Sequence, residues 1–220
     1  MLKARIFSKS VDFHKVIWYN IRMKKLILKT ALITLASVIG LSAVIYGVFA
    51  LCFPLSLANL FENMGMDSVA VAYYRLNYEK TGDILDLADV CVKIDVNDNS
   101  KKAESYILEL VEHKDFSSYC IDKDEEKSPI KSRDFFYGKL VVASKKNSGI
   151  EKAIEHAKKC VSEGYTEFNP FRLMITEENL LEREDLVLVK EELTELRQSI
   201  SLTEEVILEE DLELIKQLLA

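Results

Sequence analysis

Three histidines, four cysteines and a few closely spaced carboxylates are the residues of this chain that could do chemistry, and their spacing decides which chemistry is open to them. His14, His113 and His156 stand far apart. None lies one helical turn from another or beside a cysteine pair, so the pattern of a zinc site is missing. His156 shares its segment with Lys158 and Lys159 and reads as a solvated or half-buried surface residue. His113 reads as a helix-end imidazole suited to the C-terminal dipole. Asp95, Asn97 and Asn99 alternate as the ligands of a calcium loop do. Ser100 stands where that loop needs glycine, however, and Tyr106 where it needs a bidentate glutamate, so a turn that leads into the next helix accounts for them better. The acidic residues Asp122, Asp124, Glu125 and Glu126 lack a compact ligand spacing and read as a solvated loop.

No glycine-rich phosphate loop and no G-x-S-x-G elbow occurs in the sequence. The thiols form no C-x-x-C pair, and with Cys91, Cys120 and Cys160 in the segment beyond residue 53 their odd number argues against a disulfide framework. Cys120 is expected to be exposed. An enzyme on a helical scaffold would need carboxylates such as Glu62, Asp67 and Asp86 to converge in a cleft, which nothing in their spacing demands. The expectation is a non-enzyme without catalytic, cofactor-binding or metal-ligating residues.

The elements that must position any site begin with an apolar stretch. Thr30 to Leu60 contains no charged residue and is bracketed by Lys29 and Glu62. About 20 apolar residues cross a bilayer, so a transmembrane helix is expected over 30–53, preceded by a basic segment over 1–29. That segment holds Lys3, Arg5, Lys9, Lys15, Arg22, Lys24, Lys25 and Lys29 against Asp12, which predicts a cytoplasmic N-terminus and an extracytoplasmic body. The chain carries a net charge of −7, and with about +7 before residue 54 the remainder carries about −14, a poor match to nucleic acid. Met23-Lys24-Lys25 also resembles the opening of a signal peptide, so the alternative is a secreted protein cut near residue 59, after Ser56-Leu57-Ala58.

Beyond Pro54 the only prolines are Pro129 and Pro170, and apolar residues recur at helical spacing, as in Leu186, Val189, Leu193, Leu196 and Ile200. The body reads as all-α. Ser148 with Glu151 and Ser201 with Glu204 have the spacing of helix-capping boxes. From Leu57 to Asp83, the order of Leu57, Ala58, Phe61, Gly65, Ala70 and Tyr74 resembles a tetratricopeptide-type helical hairpin, departing from that pattern at Asn77 and Gly82. A shift of 33 residues brings a second unit onto Leu87, Val90, Cys91, Ile94, the turn from Asp95 to Ser100, Ala103, Ile107 and Leu110. A third unit lies on Tyr137, Leu140, Val141, the turn from Asn147 to Gly149, Ala153, Ala157 and Cys160, after an insertion at about 116–132. Cys91 and Cys160 take small apolar positions of these units and read as core.

The resemblance covers about 54–165 and implies a short right-handed α-solenoid of hairpins. Residues 166–220 would add a C-terminal helical cap, with a helix start at Ile175-Thr176-Glu177-Glu178, one helix from Leu180 to Ile200 and another from Thr203 to Ala220 that carries Leu208, Leu212, Ile215 and Leu219 on one face. The resemblance also implies protein or peptide partners in the cell envelope and an adaptor or scaffold role, with the bilayer engaged through residues 30–53 and no nucleic acid. Aromatic residues dominate such interfaces, so Tyr73, Tyr78, Tyr119 and Phe135 are the candidate partner-binding residues.

Overall fold

The computed structural model describes residues 2–97, 99–125, 132–177, 179–199 and 201–220, and the side chains of 2–22, 121–125, 202 and 203 are outside the description. The side chains of the N-terminal basic residues through Arg22, of Asp12 and His14, and of Asp122, Asp124 and Glu125 therefore lie outside the described residues. So do Glu126, Pro129, Glu178, Ile200 and the Thr203 side chain. The described residues are helical, with no strand among them. They divide into two units, Met1–Phe53 and Pro54–Ala220.

The first unit is one helix, α1 (Leu2–Cys52). Its segment Met23–Cys52 has 30 residues, a mean hydropathy of 2.2 and no residue buried by the rest of the protein, so it is long and apolar enough to cross a membrane. Its hydroxyls do not spoil that character. Thr30 and Ser37 donate to the carbonyls of Leu26 and Ile33 at 3.0 and 2.9 Å, which satisfies them inside the helix.

The second unit contains α2 (Pro54–Asn63), α3 (Asp67–Thr81), α4 (Ile84–Lys93), α5 (Ser100–Val111), α6 (Phe116–Glu125), α7 (Arg133–Ser148), α8 (Ile150–Val161), α9 (Pro170–Thr176), α10 (Arg183–Leu196) and α11 (Leu202–Leu219). Helices adjacent in the chain pack together through α5, α7 then packs on α5, and α8 returns along α7. The small residues Ala58, Ala70, Ala88, Ala103, Ala143, Ala153 and Ala157 are all buried where helix pairs meet, because a methyl group allows the close approach that a longer side chain would block. Gly138 does the same between α7 and α9. A Cβ there would stand 3.0 Å from Leu173 Cδ1.

The apolar positions of all three sequence units are buried at the helix pairs α2–α3, α4–α5 and α7–α8, except Phe61, which is half-buried. Three packed clusters result. Tyr106 lies against both the first and the second, and Val96 against both the second and the third.

Several local expectations are corrected. The insertion is not simply loop, since α6 buries Phe116, Tyr119 and Cys120 against Phe136 and Tyr137. Cys120 is accordingly 4 % exposed. Ser148 does not cap α8. Its hydroxyl donates to Glu104 at 2.8 Å, and Gly149, at φ +97°, occupies the cap position instead. Ile175 and Thr176 end a helix rather than start one, because Asn169 accepts the Arg172 N–H at 2.9 Å and Pro170 sets the first turn of α9. α10 is shorter than Leu180–Ile200, since Glu182 and Asp185 form its capping box. The box at Ser201 and Glu204 does open α11, and the Glu204 carboxylate also accepts the Tyr165 N–H at 2.8 Å.

Polar ties fix the C-terminal helices. Asp211 is fully buried on α11 and accepts from Tyr165 Oη at 2.7 Å, Asn169 Nδ2 at 3.0 Å and Arg172 Nε at 2.5 Å. Lys145 on α7 pairs with Asp185 at 2.6 Å, and Lys158 on α8 with Glu192 at 2.6 Å. Asp211→Ala leaves Arg172 paired with Glu210 alone and takes from the buried Tyr165 hydroxyl and Asn169 amide their shared acceptor, so urea unfolding followed by circular dichroism should show a loss of about 2 to 3 kcal/mol. Maleimide labelling of the folded protein should leave Cys91, Cys120 and Cys160 unmodified until denaturant is added, and rapid labelling of Cys120 in the folded state would contradict its burial.

Candidate functional site

A groove of about 1070 Å³ lies between α3 and α5 in the second unit, with further lining from the end of α4 and the residues that follow it. The helix periodicity of α3 builds its wall, because Asp67, Val71, Arg75 and Glu79 recur every four residues, with Tyr73 and Leu76 beside them. Tyr106 and Lys102 come from α5 one turn apart, and Lys93, Ile94 and Asp95 from the end of α4.

Arg75 is held at the centre. Its guanidinium lies 4.7 Å from the Tyr106 ring centroid and 5.1 Å from that of Tyr78, and it pairs with Glu109 at 2.5 Å and Glu79 at 3.1 Å. Burial acts to lower its pKa, and the two carboxylates outweigh that and raise it. Lys93 is anchored too, donating to Glu62 at 2.6 Å, while Tyr74 donates to the other oxygen of Glu62 at 2.6 Å. The Lys93 hydrogen bond, reinforced by that of Tyr74, holds the Glu62 carboxyl below its usual range. Acidic Asp67, Glu79 and Asp95 and basic Arg75, Lys93 and Lys102 thus line a partly aromatic groove, with neither sign in excess.

Of the four aromatics marked by sequence, Tyr73 lines the groove and stacks on Phe61 with ring centroids 5.5 Å apart. Tyr78 is half-buried behind Arg75, edge-on to His113. Phe135 is half-buried against Phe136, away from the groove. Tyr119 is 6 % exposed and packs on Phe136, so the fold itself covers it, and burial raises its phenol pKa. Sequence reasoning missed Arg75, Lys93 and Tyr106. Only the Arg75–Glu79 spacing of four residues hints at an ordered guanidinium.

The carboxylates considered for catalysis are used separately. Glu62 is bound by Tyr74 and Lys93, whereas Asp86 accepts from Asn77 Nδ2 at 2.7 Å and Thr81 Oγ1 at 3.1 Å. Asn77, the departure from the repeat pattern, therefore has a role in joining α3 to α4. Asp67 is exposed at the groove. In the turn after α4, Asp95 accepts the Asn97 N–H at 2.8 Å, the geometry of an Asx turn, and Asn97 in turn accepts from Lys146.

His156 corrects the surface expectation. It is 5 % exposed on α8, and its Nε2 has no hydrogen-bond partner among the described residues. Burial, with help from Lys152, holds its pKa below the ordinary 6.5, against the opposing pull of Glu155 and Glu104. Cys91 and Cys160 lie in the core, where burial pushes both thiols up and away from the reactive thiolate.

Compared with family models, with curated proteins and with solved structures, the chain matches none. Its class is accordingly one of architecture: an all-helical body joined to an apolar helix long enough to span a membrane.

His156 gives this region a pH dependence. The folded imidazole stays neutral where the unfolded one binds a proton, so stability present above pH 6.5 is lost as pH falls through the lowered folded pKa. Urea midpoints at pH 7.5 and pH 5.5 should differ less for His156→Leu than for the native chain.

Proposed function

We propose that the protein is a membrane-anchored helical-repeat adaptor that binds protein or peptide segments in the cell envelope, with its N-terminus cytoplasmic and its body extracytoplasmic. The observation that carries this reading is the groove between α3 and α5. It is long, open and lined by Tyr73, Tyr106, Leu76 and Val71 together with charges of both signs. Aromatic and aliphatic surface supplies affinity for side chains, and fixed charges such as Arg75 and Lys93 supply orientation, which is the combination a polypeptide segment needs. A field of one sign, as nucleic acid requires, is absent from this groove.

The hairpins α2–α3, α4–α5 and α7–α8, each packed on the next, support the tetratricopeptide-like reading, in which stacked repeats display a surface to a partner. α10 and α11 then serve as the cap of the stack. Retention of the apolar helix as an anchor is favoured by the burial of Leu57 and Ala58. Cleavage after Ala58 would remove both from the α2–α3 interface. An anchor also raises the effective concentration of the groove near other membrane proteins, so modest affinity suffices.

The test is affinity purification from crosslinked membranes with three baits: the native chain, one in which residues 54–220 are replaced by an inert domain, and the double variant Tyr73→Ala, Lys102→Ala. Envelope proteins recovered by the native chain should be lost with the replacement and strongly reduced with the double variant. Equal recovery by native and double-variant baits would remove the groove from the reading.

A further inference from the structure

Two buried side chains of the α7–α8 hairpin carry polar atoms without a hydrogen-bond partner among the described residues, the hydroxyl of Ser144 and Nε2 of His156. Ser144 is wholly buried and His156 nearly so. A hydroxyl within a helix ordinarily donates to the carbonyl one turn back, as Thr81, Thr176 and Thr194 do to Asn77, Arg172 and Lys190 at 3.1, 2.8 and 2.7 Å. Ser144 makes no such bond. Leaving a buried donor or acceptor unpaired is costly, and in folded proteins nearly all such groups are paired with protein or with ordered water.

What the two share is Glu104. It reaches from α5 to the end of α7, where the Ser148 hydroxyl approaches its oxygens at 2.8 and 2.9 Å and Asn147 Nδ2 donates to one of them. Ser144 stands one turn before Ser148 on the same face of α7. Burial acts to raise the Glu104 pKa, and Asn147, Ser148, Ser144 and the His156 imidazole outweigh it and hold the carboxyl below its usual range. A hydroxyl close enough to act on a carboxylate, yet outside direct hydrogen-bonding geometry, stands at the separation a water molecule spans. The donor and acceptor inventory agrees. Ionised Glu104 only accepts, with lone pairs left over from Ser148 and Asn147, whereas Ser144 and neutral His156 can each donate or accept. A water, with two hydrogens to give and two lone pairs, satisfies all three groups. An anion would be repelled by Glu104, an apolar occupant would leave the two atoms unpaired, and no group of three His, Cys, Asp or Glu side chains able to hold a metal occurs among the described residues.

We propose that the junction of α5, α7 and α8 is a binding site for one buried water, held by Glu104, the Ser144 hydroxyl and Nε2 of His156. The water completes a polar network that ties α5 to the α7–α8 hairpin. Glu104 projects from the side of α5 opposite Lys102 and Tyr106, so this tie braces from behind the helix that supplies one wall of the groove. The site does not depend on what the groove binds.

Nuclear magnetic resonance of the full-length chain in deuterated detergent micelles, with isotope-labelled histidine, tests the site. The chain has three histidines, so the His156 signals are identified by their loss in His156→Gln. Its carbon-bound ring protons do not exchange with solvent, and a cross-peak from them to water reports contact. The native chain and Ser144→Ala should both show a cross-peak to water that tumbles with the protein, because Glu104 and His156 still hold the water when the hydroxyl is gone. Ser144→Val should lose it, since the added methyl groups take the place of the water. Absence of the cross-peak in the native chain overturns the proposal. Its loss in Ser144→Ala does the same, by showing that the signal was relayed through the exchanging hydroxyl proton. Persistence at full strength in a folded Ser144→Val places the water elsewhere around the ring and also overturns the site. If the amide spectrum shows that Ser144→Val does not fold, the native chain and Ser144→Ala decide.

Discussion

No helix beyond residue 53 can cover its own apolar stripe, and that constraint organises the body. A fully buried leucine contributes about 1.5 to 3 kcal/mol, so Leu87, Ile107, Leu110, Leu140 and Leu193 stabilise the fold only once a neighbouring helix has closed over them. The closing distance is set by alanines at the helix contacts and by Gly138, where the Leu173 side chain fills the space a Cβ would take. Because Tyr106 and Val96 each belong to two clusters, the three cores act as one sequence of supports. Loss of one layer removes a wall of the next.

Polar groups are placed where this stacking would otherwise leave backbone unsatisfied. Lys139 on α7 donates to the carbonyls of Cys91, Val92 and Ile94 at 2.7, 2.9 and 2.9 Å, supplying positive charge and hydrogen bonds to the C-terminal end of α4. Burial lowers its pKa, an effect opposed by nearby acidic groups. Arg133 does the same for α8, donating to the Cys160 carbonyl at 2.5 Å and pairing with Glu163 at 2.8 Å. The Asp211 carboxylate instead joins α11 to α9 by accepting from the side chains of Asn169 and Arg172. These groups fix register between helices more than they add stability, since their desolvation offsets much of their attraction.

The same economy shapes the surfaces left for function. Arg75 and Lys93 are immobilised by carboxylates and rings, so the groove presents charges fixed in place with little side-chain conformational entropy left to them.

Much of this architecture is local and therefore legible in the sequence. Apolar periodicity is a property of a single helix, so the apolar span, the three hairpins, the core positions of Cys91 and Cys160 and the capping box at Ser201 and Glu204 could all be read from spacing. What tertiary structure decided is which faces meet. Glu104 recruited Ser148 away from a helix start, Phe136 and Tyr137 drew α6 and Cys120 into the core, and packing on α8 buried His156 beside lysines that suggested solvent. The groove is of this second kind. Its walls come from segments between residues 65 and 106, and the positions of Arg75, Lys93 and Tyr106 acquire meaning only when α3, α4 and α5 are side by side, because burial and charge pairing depend on neighbours in space whereas periodicity depends on neighbours in the chain.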